Sequence, residues 1–269
     1  MFNITCSNDK KLHHYAFIDY LRGIALLLMF IYHFNFDLDY YQFIQIDFHN
    51  NPWWLNFRTL IVTLFLWLVG VSLWLATQKG LNTKSFTKRQ LLLFAASILV
   101  SISSYITFPN SYIFFGILHF IFIASLIGLL FVRLYYVNLL LGLALLFIGN
   151  VYSNSLFNHS ALQWVGLMPQ KPLTEDFVPF LPWFGVVLLG LFSGAFIFKH
   201  RTINALSSRV IHWGESHAQS HSQIHSQIHS KSQKFICCMG RHSLILYLIH
   251  QPIFLGILFI IKLMLSNTI

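Results

Sequence analysis

Four ionisable residues in one apolar run are spaced to do chemistry together. The run IDYLRGIALLLMFIYHFNFDL, from 18 to 38, carries Asp19, Arg22, His33 and Asp37. Asp19 and Arg22, three apart, share a helical face and can pair. Gly23 beside them permits close helix contact. His33 lies eleven residues beyond Arg22, about 16 Å along a helix, and Asp37 follows one turn later on the same face. A histidine with a carboxylate one turn away makes a general-base pair. A histidine that hydrogen-bonds across helices reads equally well from the sequence alone.

The elements that must position these groups are membrane spans. The 269 residues are 56% hydrophobic and only 9% charged, against about 25% charged in ordinary soluble domains, so the chain cannot cover a globular surface. The apolar residues fall in blocks near the ~20 residues a spanning helix needs: roughly 17–36, 57–77, 90–107, 113–133, 136–151, 180–198 and 243–264. Blocks such as LLLGLALLFIG do not alternate as barrel strands would. The expected fold is an all-α, multi-pass transmembrane bundle of about seven spans, forming a single membrane domain over 1–269.

Basic residues set the expected orientation. Lys10 and Lys11, the group Lys79, Lys84, Lys88 and Arg89, then Arg133, and finally Lys199, Arg201, Arg209, Lys231, Lys234 and Arg241 occupy one set of loops. Asp37, Asp39, Asp47, Glu175 and Asp176 occupy the other, opposed by Arg58 and Lys171. The positive-inside rule then puts the N-terminus in the cytoplasm and the C-terminus outside. The net charge of +9 reflects this topology and contact with anionic membrane lipid. It makes no case for nucleic acid, because no basic stretch is interleaved with aromatics. No small-residue cleavage site follows the first run, so no cleaved signal peptide is expected. Cys6, Cys237 and Cys238 fall on the expected cytoplasmic side and read as reduced thiols.

A polar stretch interrupts the pattern. HWGESHAQSHSQIHSQIHSKSQ (212–233) places His217, His221, His225 and His229 four apart, within a segment, 202–234, that reads as a His-rich cytoplasmic linker. Helical spacing would align the four for a metal, but only Glu215 is at hand to complete a site, so no metal is expected.

D-x-L-R-G followed eleven residues after its arginine by histidine resembles the first helix of the transmembrane acyltransferase superfamily, which includes acyltransferase family 3. YHFNFDL (32–38), FLWLVGVSLWLA (65–76), FPNSYIFFGILHFI (108–121), DFVPFLPWFGVVLLG (176–190) and GRHSLILYLIHQPIF (240–254) resemble more specifically the small bacterial branch related to the heparan-α-glucosaminide N-acetyltransferase catalytic domain. The resemblance implies an acyltransferase of the bacterial cytoplasmic (inner) membrane. It would move an acyl group, usually acetyl from acetyl-CoA, to a hydroxyl or amine of an outward-facing glycan or lipid-linked acceptor.

The resemblance also implies site residues. His33 matches the first-helix histidine that acyltransferase family 3 treats as catalytic, with Asp37 to orient it. His49 matches, more weakly, the loop histidine of the lysosomal acetyltransferase, and His119 would lie at a depth similar to His33. Arg22, Asp19 and Arg241 lie near the cytoplasmic ends, where CoA phosphates would meet guanidinium forks. Arg58, Trp183 and His250 are candidates for the acceptor. The run His250-Gln251-Pro252 is tolerable within a span only at a cavity or helix interface. Intramembrane His, Arg and Asp would also suit a small proton-coupled transporter, and a non-enzymatic scaffold or a homo-oligomer stays open.

Overall fold

The computed structural model describes residues 13–48, 50–78, 80–199 and 223–266. Cys6, Lys10, Lys11, His49, Lys79, Arg201, Arg209, Glu215, His217 and His221 lie outside them. Among the described residues eight α-helices and two short 3-10 turns make up the architecture, with no strand.

The helices are α1 (His13–Tyr40), α2 (Pro52–Thr77), α3 (Thr83–Thr107), α4 (Ile117–Phe131), α5 (Tyr135–Val151), α6 (Phe180–Lys199), α7 (Gln223–Arg241) and α8 (Ser243–Ser266). Five of them, α1, α2, α3, α6 and α8, are long and apolar enough to cross a membrane, and α4 and α5 are shorter apolar helices. Each of the seven apolar blocks is thus a helix. The first part of the expected linker lies outside the described residues, and from Gln223 it continues as α7.

Two compact units divide the chain, one comprising residues 1–61 and 201–269 and the other residues 62–200, with the division inside α2. In the second unit α6 is gripped through small residues. A Cβ on Gly70 of α2 would overlap the carbonyl oxygen of Val187, and one on Gly190 would overlap that of Trp67. Only hydrogen at both positions lets the helices approach so closely, the usual device where apolar lipid supplies no hydrophobic drive for association. Leu66, Leu73, Phe120, Val187, Leu188 and Leu191 form the buried core of this unit.

The first unit packs α7 and α8 on α1. A Cβ on Gly240 would overlap the carbonyl oxygen of Asp19, and one on Gly23 would overlap that of Ile236. The pairing 19 with 240 and 23 with 236 means that α1 and α7 run in opposite directions where they cross. The chain then turns at His242 into α8, and the Tyr41 hydroxyl donates to the Leu255 carbonyl at 3.1 Å.

Candidate functional site

At the N-terminal part of α1, Asp19 is buried and holds two guanidinium groups. Arg22 Nη1 reaches Oδ1 at 3.2 Å, within one helical face. Arg241 Nε reaches Oδ2 at 3.1 Å from the end of α7. The seat of Gly240 on the Asp19 backbone is what delivers Arg241 to this carboxylate. Asp19 thus brings two guanidinium groups, from α1 and α7, to one carboxylate.

Further along α1 a second polar cluster forms against α8. The ring of His250 stacks on Phe30 at 5.3 Å and meets His33 edge-on, with centroids 5.0 Å apart and planes at 63°. Phe254 and Tyr247 close its remaining sides at 5.8 Å and 5.6 Å. Next to it, Gln251 Nε2 donates to Asp37 Oδ1 at 2.7 Å. Pro252 follows inside the helix, and lacking an N–H it breaks the backbone ladder here.

The hydrogen-bond inventory of this cluster does not close. Asp37 is 1% exposed and His250 6% exposed. His250 Nδ1 lies 2.6 Å from the Tyr247 carbonyl oxygen, which can only accept, so Nδ1 carries the proton. His250 Nε2, Asp37 Oδ2 and Gln251 Oε1 are buried with no hydrogen-bond partner among the described residues. Each unmade bond of this kind costs about 1–3 kcal/mol, and three in one cluster mark a place where folding has yielded to another requirement.

This geometry differs from the arrangement expected for α1 by itself. Asp37 receives Gln251 on one oxygen and no described group on the other. The ring beside His33 belongs to His250, on a helix more than two hundred residues later. Arg58 lies against the Tyr32 hydroxyl, and Tyr32 in turn meets the His33 ring at 5.7 Å. Around Tyr32 gather Phe48, Trp54 and Phe57, with Trp53 packed on Trp54 and 59% exposed. His49, next in sequence to Phe48, is outside the described residues.

His119 belongs to the second unit and its surroundings are of another kind. Its Nδ1 accepts from the Gly116 backbone N–H at 3.3 Å. Its Nε2 lies 3.1 Å from Ser101 Oγ, which donates its own hydrogen to the Ile113 carbonyl at 2.7 Å. One tautomer, protonated on Nε2, satisfies every one of these bonds. Beside it Asp176 Oδ2 accepts from the Ile117 N–H at 2.8 Å, capping α4. Thr174 Oγ1 donates to the Tyr112 carbonyl at 2.9 Å, and the Glu175 N–H to that of Ser111 at 3.0 Å. Trp183 is half-buried on α6 of the same unit.

The sequence did not point to Gln251 or to the Tyr247 carbonyl as members of the site. The unusual His-Gln-Pro run was the available signal. Among the described residues no group of three or more His, Cys, Asp or Glu side chains is placed to hold a metal ion. A family model described as heparan-alpha-glucosaminide N-acetyltransferase, catalytic, matches residues 14–252. No curated protein and no solved structure matches the chain significantly.

Proposed function

The chain belongs to the family described as heparan-alpha-glucosaminide N-acetyltransferase, catalytic, and from that premise we propose that it moves an acetyl group from acetyl-CoA across the bacterial cytoplasmic membrane. The acceptor is a hydroxyl or amine of an outward-facing glycan or lipid-linked molecule. The family match carries membrane acetyl transfer in general. The observation that carries the site is the cluster of unpartnered buried polar atoms beside His33.

In this reading the N-terminus of α1 faces the cytoplasm, and the Asp19–Arg22–Arg241 cluster meets the phosphates of CoA there. Asp19 keeps the two guanidiniums side by side, and their planar forks match phosphate oxygens. His33 removes the proton from the acceptor hydroxyl or amine as its oxygen or nitrogen attacks the thioester carbonyl. The new C–O or C–N bond forms, the C–S bond breaks, and the departing thiolate receives that proton. The products are the acetylated acceptor and coenzyme A thiol, with no proton gained or lost. A positioned base contributes about 10²–10⁴-fold to such a step. Arg58 and the aromatic group around Tyr32, with Trp53 exposed at its edge, flank the side from which the acceptor approaches. Trp183 is a further acceptor candidate. His119, with both ring nitrogens engaged, serves α4 rather than the reaction.

The test uses membranes containing the full chain and acetyl-CoA labelled in the acetyl group. Transfer of label to membrane or glycan material, with release of coenzyme A, is expected from the natural chain and not from His33→Ala. Transfer retained in that variant moves the base to His49. No transfer by the natural chain overturns the reading.

A further inference from the structure

We infer that Arg58 is a phosphate seat, and that the acceptor is a sugar joined through a phosphate to a membrane lipid. The inference rests on the acetyl-transfer reading for there being an acceptor, and on geometry for the seat itself. Arg22 and Arg241 share the carboxylate of Asp19, whereas Arg58 forms no ion pair among the described residues. It is partly buried, and its guanidinium lies against a neutral group, the Tyr32 hydroxyl. The acids at the end of α1 and in the loop to α2 are engaged elsewhere. Asp37 receives Gln251, Asp39 accepts from the Ile46 N–H at 2.8 Å, and Asp47 holds the backbone and side chain of Asn50. A partly buried charge with no counter-charge carries a free-energy cost that a bound anion offsets.

Depth selects the anion. The 26 residues of α2 make about 39 Å of helix against a hydrocarbon core of about 30 Å, so the helix ends stand among headgroups. Arg58 follows Pro52 by roughly 9 Å of helix, and a helical side chain leans back toward the N-terminus. Its guanidinium therefore reaches the layer of the lipid phosphates, whose oxygens match the arginine fork. Trp53 and Trp54, at the same end of α2, are of the type favoured in that layer.

The neighbour of Arg58 separates this place from an ordinary headgroup contact. The ring of Tyr32 meets the His33 ring edge-on, with centroids 5.7 Å apart and planes at 88°, so a phosphate on Arg58 is one side chain away from the base. Phe48, Trp54 and Phe57 enclose Tyr32. Trp53, 59% exposed, packs on Trp54 and Phe57. The acceptor sugar spans this interval, with its phosphate on Arg58 and its reacting hydroxyl or amine at His33.

The test is binding, without acetyl-CoA, to the purified full-length protein in detergent. The probes are farnesyl phosphoryl glucose, in which one phosphate joins one lipid chain to one sugar, and farnesyl glucoside, which lacks the phosphate. Displacement of the radiolabelled first probe gives each Kd. In the natural chain the phosphate is expected to tighten Kd by about tenfold or more, the scale of a charge-assisted hydrogen bond. In Arg58→Gln the two probes should bind alike. Arg58→Lys keeps the charge without the fork, so part of the difference should remain, and this variant carries the test if the glutamine one does not fold. Partial unfolding weakens both probes together and leaves their ratio readable.

Equal binding of the two probes by the natural chain, or a phosphate effect undiminished in Arg58→Gln, overturns the seat. Glucose-1-phosphate displacing the label as well as the unlabelled probe does would remove the lipid from the ligand. Phosphatidylglycerol doing so would reduce Arg58 to a headgroup anchor, and either result overturns the lipid-linked sugar. A seat that behaves as expected in a chain that releases no coenzyme A overturns acetyl transfer and leaves the phosphate site standing.

Discussion

The surroundings of His250 and of His119 are two ways of burying a histidine. Around His119 every polar atom has a partner. The Gly116 N–H meets one nitrogen and Ser101 the other, the Ile113 carbonyl lies beyond, and Asp176 takes the next free N–H of α4. Around His250 the inventory stops short, with three buried atoms unanswered on two neighbouring helices. A closed network rigidifies its surroundings, whereas an open one carries a continuing free-energy cost. Stability selects for the first kind. In the acetyl-transfer reading the second persists because a reacting molecule completes it.

Substitutions at each site can break or sharpen that contrast. The largest effect is expected from His33→Ala, with coenzyme A release lower by about 10²–10⁴-fold and thermal unfolding in detergent hardly moved. A large loss of stability there would erase the distinction. His119→Ala should do the reverse. It strips the Gly116 N–H and Ser101 of their partner and costs about 1–3 kcal/mol, seen as earlier unfolding, with activity per folded protein close to natural. Asp37→Asn keeps a carbonyl oxygen for Gln251, so its coenzyme A release should fall by no more than about fivefold, the equivalent of one ordinary hydrogen bond at ~1 kcal/mol. A loss as deep as that of His33→Ala would return Asp37 to the role of orienting base. The smallest change is expected for Ser101→Ala, about 0.5–1 kcal/mol of stability with no kinetic signature.

Hydropathy made the apolar helices legible because lipid demands long runs of one kind of residue. It misjudged ends wherever polar residues cap or clasp them. The third block starts at 90 by composition, yet α3 begins at Thr83, where the Asn82 side chain accepts from the Ser85 N–H at 3.1 Å. The fourth begins at 113 by composition, yet α4 begins at Ile117, since Ile113 and Phe115 are bonded into the connecting loop. The helix α7 was hidden for a different reason. Its polar composition reads as linker, while its packing depends on two glycines meeting carbonyls far away in sequence. The site was half legible. The face bearing Asp19, Arg22, His33 and Asp37 follows from helical period. The meetings of Asp19 with Arg241 and of His33 with His250 are tertiary, and no spacing encodes them.

Gly240 contributes no chemistry, yet it calibrates the site. Its bare α-carbon rests on the Asp19 carbonyl, and ten residues later, past the turn at His242, comes the ring of His250 on α8. The contact works like the datum face of an instrument, the surface from which every other height is measured. A methyl group there would push the end of α7 off α1, just before the chain turns into α8, and displacements of about 1 Å can cost a reaction 10²-fold. In the acetyl-transfer reading the tolerance of the chemistry is thus set at a point of the molecule where no chemistry occurs.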